Sequence, residues 1–328
     1  MKQMKKIVAL LMVLVMVVGL CACGGSKDDK VLKIGIIQLV KHDALDRTYQ
    51  GFVDELEELG YVDGENVEID YQVASGEQAN CLSIAEGMVN DGKDLIFAIA
   101  TPAAQAAASK TTEIPILISA VTDPAGSGLV ASNDEPGGNV SGTSDLTPVA
   151  DQIKMLKEIL PNAKTIAVLY CSNESNSEIQ LNLAKEAAKE NGLEVVEASV
   201  SSSNEIQQMV TSLAGRVDAI YAPTDNTIAA GMETVSMVAT QEGIPVICGE
   251  AGMVKTGGLI TYALDYYDLG VATARQADKI FKGEAETATM AIEYLGGDTL
   301  KYAVNTAVAD QLKITIPQAI LDVATIYQ

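Results

Sequence analysis

The sequence predicts an α/β protein of two doubly wound, Rossmann-like lobes with a ligand cleft between them. Three observations carry this. Short apolar segments of strand length alternate with helical segments along the chain. The alternation occurs twice with matching landmarks: Ile34 and Ile166 lie 132 residues apart, as do Gly60 and Gly192, while Pro115 and Pro245 lie 130 apart. At 328 residues the chain is also long for one hydrophobic core. With no tryptophan and three phenylalanines, the cores must be built from Ile, Val, Leu, Ala and Met.

The first pass opens with an apolar strand at 33–37. A helix follows over 46–59, where Tyr49, Phe52, Val53, Leu56 and Leu59 recur at helical spacing until Gly60 ends it. Residues 67–71 alternate as a strand, 77–89 read as a helix, and 95–100 as a buried strand. Pro102 then suits the first turn of an alanine-rich helix, because its missing N–H is one that has no helical partner. After the Ile114-Pro115 turn, 116–118 form the next strand. The second pass repeats the order: strand 166–170, helix 178–189 closed by Asn191-Gly192, strand 195–200, helix 204–213, strand 219–222, a helix from about Asn226, and strand 244–247. Strands apolar on both faces read as parallel and covered by helices.

In such sheets ligands sit beyond the carboxyl ends of the strands. Thr101, Asp123, Asn173, Asp225 and Glu250 fall there. Thr101 and Asp225 could also serve as helix caps.

The amino terminus carries Lys2, Lys5 and Lys6 before an uncharged apolar run at 7–20, the pattern of a secretory signal and short for a membrane span. The run closes in Leu20-Cys21-Ala22-Cys23-Gly24, which resembles the bacterial lipobox, with cleavage after residue 22 and lipid on Cys23. Ordinary signal cleavage near Ala22 is the alternative. Residues 23–30, rich in Gly, Ser and charge, then read as a flexible tether. Removing the leader takes three lysines and no acid, so the net charge of −22 becomes −25. That balance argues against nucleic acid as a partner. Cys81, Cys171 and Cys248 show no metal-ligand spacing and read as buried thiols.

Catalytic signatures are weak. His42 is the one histidine, in the loop between the first strand and helix, and no G-x-S-x-G elbow occurs. Residues 87–94 approach a phosphate-binding loop but end in Asp94 and precede a strand. Residues 126–131 mimic a dinucleotide fingerprint but run into a turn-rich loop. No enzyme, cofactor or metal is expected.

Several strings occur together: His-Asp-Ala-Leu-Asp (42–46), Ala-Thr-Pro-Ala-Ala-Gln (100–105), Val-Thr-Asp-Pro (121–124), Pro-Thr-Asp-Asn (223–226) and Gly-Gly-Leu-Ile-Thr-Tyr-Ala-Leu-Asp-Tyr (257–266). With them, the chain after Ser26 resembles the substrate-binding lipoproteins of ABC transporters in the group assigned to tryptophan or tyrosine uptake. It departs at Asp43, where the family pattern leads one to expect proline. The resemblance implies a type I periplasmic-binding-protein fold with hinge crossings near 144–145, near 262–265 and after about 295. The lobes would hold 31–145 plus 266–295, and 146–265 plus 296–328. It also implies a monomer, anchored through Cys23, that delivers a small solute to a membrane permease.

An aromatic amino acid in the cleft sets chemical requirements. Thr101, Ser144 and Thr224 are candidates for its carboxylate, and Asp123, Asp225 and Asp265 for its ammonium, since an unpartnered buried charge would cost several kcal/mol. Tyr170, Tyr262, Phe97 or Leu45 would wall the ring. Gln38, Asn173 and Ser175 would complete the polar shell, with His42 and Thr122 from the shared strings beside them. A sensory domain of the same fold, an extracytoplasmic hydrolase, or a binding protein for branched-chain amino acids, nucleosides or sugars are the competing readings.

Overall fold

The computed structural model describes residues 31–328; the signal segment, Cys23 and the tether fall outside the described residues. Two parallel-rich sheets, each covered by helices, make two lobes. The first holds β1 (Leu32–Gln38), β2 (Val67–Val73), β3 (Leu95–Ile99), β4 (Ile116–Val121), β5 (Val140–Ser144) and β11 (Glu293–Tyr294) in the order β11-β5-β4-β3-β1-β2. All five neighbouring pairs are parallel. The second holds β6 (Thr165–Cys171), β7 (Glu194–Val200), β8 (Ala219–Ala222), β9 (Val246–Cys248), β10 (Ile260–Ala263), β12 (Lys301–Asn305) and β13 (Thr325–Tyr327) in the order β13-β12-β10-β9-β8-β6-β7. Only the β10–β12 pair is antiparallel.

The central strands are buried on both faces, as their unbroken apolar runs require. Ile34, Ile36 and Ile37 of β1 are fully covered, as are Ile166, Ala167, Val168 and Leu169 of β6. Helices α1 (Asp43–Glu58), α2 (Gln78–Asn90) and α3 (Thr101–Lys110) serve the first lobe. On α1, Phe52 reaches the sheet and stacks on Phe97 with ring centroids 4.1 Å apart. Helices α4 (Val149–Ile159), α5 (Ser175–Glu190), α6 (Ile206–Ser212), α7 (Asn226–Ala230), α8 (Met232–Gln241) and α9 (Ala251–Lys255) follow along the second-lobe stretch. Next comes α10 (Tyr266–Phe281), which packs back on α1, β4 and β5, and then α11 (Thr306–Leu312) and α12 (Gln318–Leu321). The chain thus passes from the first sheet to the second after β5, returns at the start of α10, and leaves again after β11.

Helices α1 and α10 meet at two glycines. A Cβ on Gly51 would overlap the Tyr267 carbonyl, and one on Gly270 would overlap the Thr48 carbonyl and the Phe52 amide. The bare backbones therefore touch, and polar pairs flank the contact: Arg275 Nε to Glu55 at 2.8 Å and Tyr61 Oη to Asp278 at 2.9 Å.

Strand β5 is built differently from its neighbours. Its Ser141 and Thr143 are fully buried because their hydroxyls bond inward, Ser141 to the Met290 carbonyl at 2.6 Å and Thr143 to Ser119 at 2.8 Å. Buried hydroxyls with partners carry little penalty. Cys81, Cys171 and Cys248 are all buried and free. Among the described residues, no helix is long and apolar enough to cross a membrane.

Candidate functional site

The strand-to-helix corners of both lobes close on one narrow cavity. From the first lobe come His42 and Leu45 at the start of α1, Ala120 in β4, Asp145 just after β5, and Tyr266 at the start of α10. From the second come Asn176 on α5, Thr224 to Asn226 at the β8–α7 corner, Ala229, Glu250 and Met253. Besides the Arg47–Asp265 pair at the second hinge crossing, four side-chain contacts cross from lobe to lobe. His42 Nε2 lies 3.3 Å from Asn226 Oδ1, Gln180 donates to Thr122 at 3.3 Å, Gln105 donates to Ser175 at 3.3 Å, and Lys255 bonds Asp43 at 2.5 Å.

Burial dominates the electrostatics. The Asp145 carboxyl is pushed up to about 6 by burial, against hydrogen bonds that favour its anion. Glu250 rises to about 7 for the same first reason. Asp225 also shifts upward, through burial and then the charge of Glu174. Burial lowers His42, against its bond to Asn226 and the nearby acids Glu174, Asp46 and Asp43, so its imidazole is neutral at pH 7.

The carboxylates are not equally free. Asp225 accepts from the amides of Ile228 at 2.8 Å and Cys171 at 2.5 Å and from Ser177 Oγ at 2.7 Å. Glu250 caps α9 through the Gly252 and Met253 amides. Glu174 takes the Asn226 and Thr227 amides at 3.3 and 2.9 Å. These acids are consumed in starting short helices. Asp145 differs. Its Oδ2 accepts from Tyr266 Oη at 2.6 Å, and the neighbouring Thr122 side chain also favours its anion, but Oδ1 is buried and makes no hydrogen bond of full geometry.

The nominated residues divide. His42, Leu45, Thr224 and Asp225 line the cavity. Thr122 and Ser175 stand in the cross-lobe contacts. Thr101 is 1 % exposed with an unpartnered hydroxyl; Ala100, at φ 84°, takes the cap position, and Thr101 is already helical. Gln38 is spent inside the first lobe on Val40, Asp46 and Tyr71. Ser144 bonds the Thr122 carbonyl, and Asp123 holds Asn133 at 2.9 Å. Asn173 bonds the Ser201 carbonyl in a neighbouring groove. Tyr262 lies tilted against Tyr302 with ring centroids 4.5 Å apart, beside α4. Asp265 caps α10 and holds Arg47 through two oxygens at 2.7 and 2.9 Å. Phe97 lies in the core on Phe52, and Tyr170 is buried in the second core.

Asp145, Asn176, Asn226, Met253 and Tyr266 line the cavity without having been nominated, and Glu250 was placed only at a strand end. Asp145 and Tyr266 escaped because each lies at a crossing between lobes instead of a recognisable strand-to-helix corner.

Residues 33–327 match the family described as ABC transporter substrate binding protein. The chain belongs to this family. Proteins of the family act on the extracytoplasmic side of the membrane. A curated relative, the tyrosine-binding protein of Clostridioides difficile strain R20291, is 45 % identical over 260 residues, 79 % of this chain and 75 % of the relative. Among solved structures, an ABC domain from Streptococcus pneumoniae in complex with L-Trp is 40 % identical, with a TM-score of 0.87 over 90 % of this chain and 99 % of the other. A ligand-free, open substrate-binding protein with adhesive properties from Clostridium difficile is 44 % identical, covering 91 % and 99 %, yet its TM-score is 0.70. The family member described here thus shares its overall shape more closely with the L-Trp complex than with the open protein of higher identity. The cross-lobe contacts hold the two lobes together around the cavity.

Proposed function

We propose that this substrate-binding protein captures an aromatic amino acid, tyrosine or tryptophan, by closing its lobes on the central cavity, and hands it to an ABC permease. The observation that carries the reading is the cavity itself: corners from both lobes enclose it, and Asp145 presents a buried carboxylate oxygen with no partner. An ammonium group would neutralise that oxygen, and Leu45, Ala120, Ala229 and Met253 supply apolar surface for the rest of the solute once the cavity, about 10 Å³ here and room for a single water, widens to admit it. The relatives named above support the aromatic class. Ligand binding favours the closed form only by its difference in affinity between the two states.

The hinge-divided lobes are taken as 31–145 plus 266–295 and 146–265 plus 296–328, a division supported by the sheet membership of β11, β12 and β13. Among the other nominees, His42, Leu45, Thr224 and Asp225 form the wall of the site, and Thr122 and Ser175 act through closure. The protein works as a monomer on the outer face of the membrane, tethered by lipid on Cys23. Cys23→Ser is expected to shift it from the membrane fraction to the soluble fraction; unchanged fractionation would remove the anchor.

Thermal shift against amino acids, nucleosides and sugars tests the function, because a ligand that binds the folded state raises the melting temperature by mass action. Tyrosine or tryptophan is expected to give the largest rise. No response to either, with a clear response to another class, would refute the aromatic assignment.

A further inference from the structure

Resting on the reading of the cavity as the ligand site, we propose that it takes primary amines as a ligand class of its own: protonated aromatic amines that lack a carboxylate, alongside the amino acids. The unpartnered polar atoms lining the cavity are all acceptors. Asp145, 4 % exposed, has Oδ1 free, and Asn176, 2 % exposed, has its Oδ1 free. The third is His42 Nδ1, also buried without a partner. Its role follows from its neighbours. Asn226 gives its amide nitrogen to Glu174 Oε2 at 2.6 Å, so its oxygen faces His42, whose Nε2 must donate. In a neutral imidazole the other nitrogen is then a bare acceptor. Three acceptors suit the three N–H donors of a primary ammonium.

A carboxylate meets the opposite situation. The cavity lining contains no lysine or arginine. The amides that open α7, α9 and α10 are already taken by the protein's own carboxylates: Glu174 and Asp225 at α7, Glu250 at α9 and Asp265 at α10. The first turns of α1 and α5 carry Asp43 and Asp46, and Glu178. The nearby cations Arg47 and Lys255 are paired with Asp265 and Asp43. Recognition therefore concentrates on the ammonium, and removing the ligand carboxylate removes little.

Calorimetric titration of the full chain with tyrosine, tyramine, 3-(4-hydroxyphenyl)propionate and N-acetyltyrosine, repeated with tryptophan and tryptamine, tests this. Each amine is expected to bind within about tenfold of its amino acid, the propionate and the N-acetyl compound to give no heat, and Asp145→Asn to weaken amine binding more than tenfold. If the amino acids bind and the amines are more than a hundredfold weaker, the amine class is overturned while the amino-acid reading stands. If the amines bind and the amino acids do not, the amine class stands and the amino-acid reading falls. Silence from all six compounds overturns both.

Discussion

Asp145→Asn is expected to raise the dissociation constant for the bound amino acid by at least a hundredfold. Breaking a buried charge pair by removing one partner costs about 3–5 kcal/mol, and each tenfold in affinity is about 1.4 kcal/mol. The same substitution should stabilise the ligand-free protein at neutral pH, a combination that simple loss of structure would not produce. The sign follows from the direction of the shift. A carboxyl raised by burial to about 6 holds its proton more tightly folded than unfolded. Its contribution to stability is therefore full below the ordinary carboxylate value near 4 and is lost as pH rises through about 6. Asparagine carries no such loss, so variant and parent should melt alike near pH 4.5 and diverge by pH 7.5, with the variant higher. Ligand affinity in the parent should run the other way, weakening by about tenfold per pH unit below 6, because only the ionised carboxylate pairs with an ammonium. Titrations and melting curves across pH 4.5–8 check both. A variant that binds as tightly as the parent would remove Asp145 from the site.

Gly270→Ala is expected to cost folding heavily. The added methyl has no room, because its neighbours are the backbone carbonyl of Thr48 and the backbone amide of Phe52, and neither can swing aside as a side chain could. Overpacking of this kind costs about 1–3 kcal/mol, and at about 2–4 °C per kcal/mol for larger domains the melting temperature should fall by about 2–12 °C. The strain falls on α10, the helix that begins at Tyr266 in the cavity wall, so ligand affinity should weaken along with stability. Gly87→Ala is the contrast. Gly87 is an exposed residue of α2 with nothing near its virtual Cβ, and replacing glycine by alanine in a helix gains up to about 1 kcal/mol. Equal effects of the two substitutions would contradict the packing account.

Much of the fold is legible because the strands that matter are apolar on both faces and several helices between them run into glycine, as at Gly60, Gly92, Gly192 and Gly243. Ile34, Ile36 and Ile37, and again Ile166 to Leu169, can sit only in the middle of a covered sheet. The repeat at 132 residues makes two lobes unavoidable. What escaped is polar or lies after the repeats. Strand β5 is Val-Ser-Gly-Thr-Ser, a loop-like string that becomes a buried strand only because Ser141 and Thr143 find partners on Met290 and Ser119. The antiparallel β12 and the edge strand β13 have no counterpart in the first lobe's repeat.

The candidate site was legible in location but less so in roles. Thr224 and Asp225, chosen for their position at a strand end, lie in the cavity wall, but position cannot say whether a carboxylate is spent. Asp225 and Asp265 each accept from a helix amide, and Asp265 also holds Arg47, so both are satisfied within the protein. Asp145 sits in a crossing between lobes, where neither periodicity nor a turn motif draws attention, and only the three-dimensional packing buries its Oδ1 without a hydrogen bond.

Closing on one small solute must shorten the distance between the two lobes. Spin labels at Ser83 on α2 and Glu186 on α5, both exposed, report the separation of the lobes directly. Saturating tyrosine or tryptophan should replace a broad distribution of long distances with one narrow, shorter distance. A distribution that stays the same with every solute that binds would contradict the clamp.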